Sequence, residues 1–181
     1  MLMSDRIETS TLGGGCFWCV EASLERLRGV QSVISGYAGG NVEEPSYEAV
    51  CTGETGHAEV VRVEFDPSVL AFDELLAAFF TIHDPTTKDR QGPDIGSQYR
   101  SVIFYETEKQ REVAESMIED LESDGGYDDP IVTEVEPLEA FWEAETYHQD
   151  FYEKNPEQAY CSAYIPPKIE KLKEKFAHAI Q

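Results

Sequence analysis

The chain has 181 residues, enough for one domain with a sizeable core, and its apolar share is ordinary for a globular protein. Its charge is not ordinary: 36 acidic residues against 14 basic ones give a net charge of -22. That balance argues against nucleic acid or an anionic membrane as partner, since both need positive charge, and no 18-residue apolar run is present to cross a membrane. The opening MLMSDRIETSTL lacks the long apolar core of a signal peptide, so a cytoplasmic protein is expected. There its four cysteines rest reduced, and any disulfide is transient and catalytic rather than structural. The acidity is spread along the chain, which fits either an adaptation to concentrated salt or a merely acidic protein.

In chain order, Arg6 to Leu12 reads as a first strand, with Ile7, Thr9 and Thr11 on one face. GGGCFWCVE follows. Three bare glycines lead into a helical pattern over Cys16–Arg28, in which Phe17, Val20, Leu24 and Leu27 form one stripe and Gly29 stops the helix. A strand near Val30–Ser35 precedes the turn-rich GYAGGNVEEPS, Gly36 to Ser46. Glu59 to Phe65 is a strand closed by Asp66-Pro67, and Phe72 to His83 is a helix with Leu75, Leu76, Phe79 and Phe80 on its apolar face. The irregular HDPTTKDRQGPDIGSQ is long for a loop in a compact domain, which marks it as functional. Tyr99–Tyr105 reads as a strand, Glu108–Leu121 as a helix, Ile131–Val135 as a strand, Leu138–Tyr152 as a helix and Lys168–Ala179 as a charged terminal helix. The order predicts an α+β fold: a two-layer α/β sandwich with a ferredoxin-like β-α-β-β-α-β core, a mixed, mostly antiparallel sheet and C-terminal helices. One catalytic domain over 1–181 is expected, with its core at about 6–161 and a helical tail at about 162–181.

Cys16 is placed in the first turn of a helix, where unpaired N–H groups and the positive end of the dipole favour a thiolate; the alternative is a structural cysteine after a glycine turn. Alternation in ETGHAEVVRVEF puts Glu59 with Val61, Val63 and Phe65 on the apolar face. A carboxylate drawn toward a core edge has its pKa raised and can serve as a general acid; if the strand begins later, Glu59 hangs in solvent. Asp94 beside Pro93, Tyr99 at a loop–strand junction and Tyr47 in PSYEAV are each either packing residues or hydrogen-bond donors to a ligand.

Together, GCFWCVE, SGYAGG, TGHAEVVRVEFDP, HDPT followed by RQGPDIGSQYRS, and YHQDFYEKNP, in that order from about Thr11 to Cys161, resemble the peptide methionine sulfoxide reductase A family. The resemblance implies reduction of methionine S-sulfoxide, free or in proteins, to methionine. Cys16 matches the family's catalytic cysteine, Phe17 and Trp18 the aromatic pair around the substrate's S-methyl group, and Glu59 the acid. Tyr47, Asp94 and Tyr99 match its polar partners, and Cys161 matches a recycling cysteine. Attack by Cys16 leaves a sulfenic acid, which a second thiol condenses to a disulfide that thioredoxin then reduces. No cofactor and no metal are implied, and a monomer is the default.

Two departures bear on recycling. The family commonly has glycine after GCFW, where this chain has Cys19, and SAYIPPKIEKLKEKF replaces a glycine-rich tail with a further cysteine. Either Cys161, on a segment taken to be flexible, or Cys19, one helical turn from Cys16, can resolve the sulfenic acid; Cys161 is placed first. Cys51 reads as a small buried hydrophobe. Two rival readings are a general disulfide oxidoreductase built on CFWC, which leaves Glu59, Asp94 and both tyrosines unexplained, and a metal module using the CxxC with His57, His83, His148 and His178, which lacks a second closely spaced ligand pair.

Overall fold

The computed structural model describes residues 7–181. In chain order the elements are β1 (Glu8–Gly13), α1 (Phe17–Leu24), β2 (Val30–Ala38), α2 (Tyr47–Cys51), β3 (Ala58–Phe65), α3 (Phe72–Thr81), β4 (Arg90–Gln91), β5 (Asp94–Ile95), β6 (Val102–Tyr105), α4 (Glu108–Ser123), β7 (Glu134–Pro137), β8 (Phe141–Glu143), α5 (Phe151–Lys154) and α6 (Ala159–Lys175). Single 3-10 turns occupy Ser97–Tyr99, Thr146–His148 and Ala177–Ala179. Arg6, expected to open the first strand, lies outside the described residues.

Six strands form one mixed sheet in the order β7-β6-β1-β3-β2-β8, and β4 and β5 form a separate two-stranded ribbon. Every neighbouring pair in the large sheet is antiparallel except β6 and β7, which run parallel with Val102 opposite Glu134. β3 is central, pairing Leu12↔Val61 on one side and Tyr37↔Glu59 on the other. Both of its faces are covered. Val61, Val63 and Phe65 join Leu12 and the apolar faces of α1 and α3 in the main core, while Ala58 and Val60 pack with Ala38, Val102 and Phe104 beneath Leu138 and Phe141. Burial on both faces fits the apolar residues on each side of this strand, with Arg62 and Glu64 only half-buried.

The sequence periodicity held for β1, α1, β2, β3, α3 and α4, with ends displaced by a few residues. It failed where tertiary contacts overrode local pattern. The expected helix over Leu138–Tyr152 is instead β8, a 3-10 turn and α5. β8 docks on the edge of β2 because Gly36 has no side chain: a Cβ there would lie 2.4 Å from Cζ of Phe141 and 2.5 Å from the Trp142 carbonyl oxygen. The expected strand Ile131–Val135 begins at Glu134, where pairing with β6 starts. Tyr99 sits in a 3-10 turn rather than in a strand. The terminal helix begins at Ala159, capped by the Gln158 side chain accepting from Cys161 N–H at 2.9 Å, and runs through Pro166 and Pro167. Two prolines read locally as a helix break, yet Cys161, Ile165, Ile169 and Leu172 are buried on this helix and hold it together. Leu172 and Ala179 belong to the main core, so the segment expected as a tail is packed into the body of the fold.

Candidate active site

α1 starts without a capping side chain of its own: Cys16 is the N-cap residue, with φ -63° and ψ 128°. The first amide of such a helix has no partner within it. Here Phe17 N–H donates to Oε1 of Glu59, 3.1 Å away and 42 residues later in the chain. The expected strand alternation therefore places Glu59 inward, and it is only 1 % exposed. Burial pushes its carboxyl up to about 8, against the pull of the Phe17 amide, and the charges of Asp94 and Cys19 push in the same direction. Glu59 is a protonated acid at neutral pH. Gly15, with φ +95°, makes the turn from β1 into Cys16, and Gln91 packs so closely on it that a Cβ would meet Gln91 Cγ at 2.7 Å.

The expected lowering of the Cys16 pKa is not found. Burial raises it well above the ordinary thiol range, and the hydrogen bond with Cys19 and the charge of Glu59 raise it further. The same hydrogen bond lowers Cys19. Desolvation and a neighbouring carboxylate outweigh the helix end, so the first proton to leave the pair leaves from Cys19, and Cys16 rests as a thiol that donates to it.

Aromatic rings surround this corner. Trp18 lies flat on Phe151, with ring centroids 3.7 Å apart and planes 5° from parallel, and its Nε1–H donates to Nδ1 of His148 at 3.0 Å. Burial holds His148 neutral by pushing its pKa down, consistent with Nδ1 acting as acceptor. Phe17 is 0 % exposed, enclosed by Tyr37, Tyr47 and His148. Glu145 clamps this wall from behind: one carboxylate oxygen accepts from Tyr37 O–H and the other from Tyr47 N–H, each at 2.8 Å. Burial and the Glu59 charge raise the phenols of both Tyr47 and Tyr99, keeping them as hydrogen-bond donors.

On the other side of α1, Cys19 and Cys161 share a small apolar cluster with Ala22, Ile165 and Ile169, packed against Cys16, Trp18 and Tyr160. Cys161 is 0 % exposed within α6, not on a flexible segment, and burial followed by the Cys19 charge pushes its thiol up to about 11. Tyr160 O–H donates to Oδ2 of Asp94, and Cys19 Sγ lies 3.8 Å from the Tyr160 oxygen. All four cysteines are free thiols. Cys51, read from sequence as a buried hydrophobe, is exposed at the C-terminal end of α2. α2 turns Val50 into the main core and packs Tyr47 against it, which leaves the adjacent Cys51 facing solvent.

Thus Cys16, Phe17, Trp18, Tyr47, Glu59, Asp94, Tyr99, Cys19 and Cys161 converge on the start of α1. Sequence reasoning missed Glu145, His148, Phe151 and Tyr160. The stretch AETYHQDFYEKNPEQAY holds all four; its YHQDFYEKNP block contributes to the family resemblance without any of these residues being given a role, and the part up to Tyr152 is expected as a helix. Three of the four histidines of the metal reading are engaged in protein hydrogen bonds: His57 with Gly40 N–H and the Val42 carbonyl, His83 with the Phe79 carbonyl and Ser101, and His148 with Trp18. His178 is exposed at the far end of the chain, 3.7 Å from the Glu74 carboxylate. Among the described residues, the grouping of potential metal ligands is Glu21, Glu25 and Asp150, which contains no sulfur or imidazole.

The sequence profile of the family described as peptide methionine sulfoxide reductase matches residues 8–180. A protein of Natronomonas pharaonis named peptide methionine sulfoxide reductase MsrA is 59% identical over 172 residues, covering 95% of this chain and 97% of its own. Among solved structures, reduced Mxr1 from Saccharomyces cerevisiae superposes with a TM-score of 0.79 at 36% identity, covering 88% of this chain and 92% of its own. Mxr1 in complex with Trx2 superposes with a TM-score of 0.55 at 26% identity, covering 81% of this chain and 86% of that one. Sequence, profile and backbone agree over nearly the whole length, and the chain belongs to the peptide methionine sulfoxide reductase family.

Proposed function

We propose that the chain reduces the S epimer of methionine sulfoxide, free or in oxidised proteins, with Cys16 as nucleophile and Glu59 as acid. The observation that carries the reading is Glu59: a buried carboxyl, protonated at neutral pH and held by the amide that follows Cys16. Sulfoxide sulfur is electrophilic, and its oxygen must gain a proton as the S–O bond breaks. Cys16 passes its proton to the neighbouring Cys19, the more acidic thiol of the two, and attacks the sulfur. Glu59 gives its proton to the oxygen, which Tyr47 and Tyr99 steady by hydrogen bonds. The oxygen transfers to Cys16, methionine leaves, and Cys16 is a sulfenic acid. Trp18, fixed flat by Phe151 and His148, presents the apolar wall to the S-methyl group, and Phe17 shapes that wall from behind.

For recycling, Cys19 condenses with Cys16 ahead of Cys161. What supports this order is the position of Cys19 three residues from Cys16 at the start of α1, packed with it in one apolar cluster, and the enclosure of Cys161 in α6. In helical geometry residues three apart have Cα atoms about 5 Å apart, inside the roughly 4.4–6.8 Å that a disulfide spans. A thioredoxin-type dithiol then reduces the bridge; the complex of the structural neighbour Mxr1 with Trx2 supports that class of partner. The scaffold reads as a ferredoxin-like unit within the larger mixed sheet, supported by the antiparallel order β6-β1-β3-β2 with α1 and α3 as its crossovers. A cytoplasmic home, with one catalytic domain over 1–181, fits the four free thiols and the absence, among the described residues, of a helix long and apolar enough to span a membrane.

The test is to incubate reduced protein with each epimer of a methionine sulfoxide peptide and measure methionine. The S epimer alone should be reduced, and Cys16→Ser should abolish the reaction. Failure on both epimers, together with rapid reduction of an insulin-type disulfide, would transfer the chain to the general oxidoreductase reading.

A further inference from the structure

The mechanism above leaves Tyr160 unused, although its hydroxyl touches a reacting sulfur. It stands between two groups that the first half-reaction leaves in different states. Cys19 Sγ lies 3.8 Å from the phenol oxygen, and the phenol O–H is directed to Oδ2 of Asp94. Asp94 comes from the short β5 strand, Cys19 from α1 and Tyr160 from the first turn of α6. Three separate elements thus converge on one donor–acceptor chain, Cys19 S–H to Tyr160 O to Asp94 carboxylate. Beside it is a cleft of about 40 Å³ lined by Cys16, Cys19, Tyr160 and Lys168 among others. A space of that size admits a water molecule and little more. Lys168 is held there by donating from Nζ to the Ile82 carbonyl at 2.7 Å.

We propose that Tyr160 is a catalytic residue of the recycling half-reaction: it relays the Cys19 proton to Asp94 while Cys19 attacks the Cys16 sulfenic acid. This rests on the reading of Cys19 as the resolving thiol. In the step, the Cys19 S–H bond breaks and its proton passes to the Tyr160 oxygen. Tyr160 hands its own proton to Asp94, and the Cys19 electron pair forms the S–S bond. The Cys16 S–O bond breaks, and hydroxide leaves with a solvent proton as water. Asp94 then returns its proton to solvent. A thiol and a sulfenic acid thus become a disulfide and water, with no outside oxidant or reductant. The side chains around the sulfurs favour this direction of transfer. The neighbouring Cys16, and after it the cationic Lys168, lower the Cys19 pKa, while burial raises the Asp94 carboxyl against the pull of Tyr160 and Lys168 and makes it a better base. Burial first, then the nearby thiols and Asp94, keep the Tyr160 phenol protonated at rest.

Tyr160→Phe keeps the ring, and with it the edge contact to Trp18 whose centroids lie 6.3 Å apart, but removes the relay oxygen. Mixed with one equivalent of peptide sulfoxide and quenched at intervals, this variant should release methionine at the wild-type rate. Sulfenic acid trapped by dimedone at Cys16 should accumulate, and the Cys16–Cys19 disulfide should form on the order of 10²-fold more slowly, the low end for loss of acid–base catalysis. Disulfide formation at the wild-type rate, or equal slowing of methionine release, would overturn the relay. Cys19→Ser in the same assay separates the two levels. If it still closes a disulfide on Cys16 at the wild-type rate, the resolving-thiol reading falls and the relay with it. If it blocks closure while Tyr160→Phe does not slow it, only the relay falls.

Discussion

Glu59 shows how one side chain serves both folding and chemistry. It caps the helix that follows Cys16, the proposed nucleophile, and the burial that makes it a cap also keeps it protonated. Glu59→Gln preserves size and an acceptor for the Phe17 amide but cannot give up a proton. Its rate of methionine formation should fall by roughly 10²–10⁴, as for loss of a general acid. Wild-type activity should decline as pH rises through about 8, where the acid is lost. The same shift has a consequence for stability. An unfolded glutamate ionises near 4.3 and the folded one near 8, so its contribution is whole below the lower value and lost progressively up to the upper one. Melting temperatures of wild type and Glu59→Gln, compared from pH 4 to 9, should diverge in favour of the variant up to about pH 8 and then run parallel. Parallel curves throughout would mean that Glu59 is ionised in the folded state across that range.

At the scale of elements, the site is a seam between α1 and α6, with Cys16, Cys19 and Cys161 along it. Cys19→Ser should give one methionine per enzyme and then stall with thioredoxin as reductant, while Cys161→Ser continues to turn over. The reverse phenotype would restore Cys161 as the first partner of Cys16. What sequence makes legible here follows from what local pattern can carry. Alternation in β3 places Glu59 inward, and the stripe of Phe17, Val20 and Leu24 identifies α1, because those periodicities answer to burial on one face. Motif order brought Cys16, Tyr47, Asp94 and Tyr99 into one group. The partners that hold the group were not legible. His148, Glu145 and Phe151 act through contacts to residues about 100 or more positions away, and no local pattern encodes such distances. α6 was half hidden because Pro166-Pro167 reads as a break, while burial against α1 carries the helix through it. The Cys16 pKa was misjudged because a helix end is visible in sequence and the desolvation that outweighs it is not.

Across the whole molecule, a net charge of -22 on 181 residues is a standing self-repulsion. Few of its carboxylates are neutralised by neighbours: among the described residues, the ion pairs centre on Arg100, Arg111, Lys173 and His178, and all but the one at Arg100 lie at exposed positions. Exposed pairs of this kind contribute at most about 1 kcal/mol each. Screening by salt should therefore stabilise the fold. The melting temperature is expected to climb steeply between low and molar KCl, and a flat profile would remove the reading of the acidity as an adaptation to concentrated salt.

The accessible position of Cys51 offers a practical handle. Cys19 and Cys161 are buried and Cys16 is only partly open, so a bulky maleimide fluorophore under reducing-agent-free conditions should mark Cys51 first. The dye would sit one helical turn from Tyr47, beside the residues proposed to hold the sulfoxide. Its emission becomes an optical gauge of occupancy, read in real time in a protein whose redox sulfurs remain untouched. Peptide mapping that found the label chiefly on Cys19 or Cys161 would show that the α1–α6 seam opens in solution more readily than its packing implies.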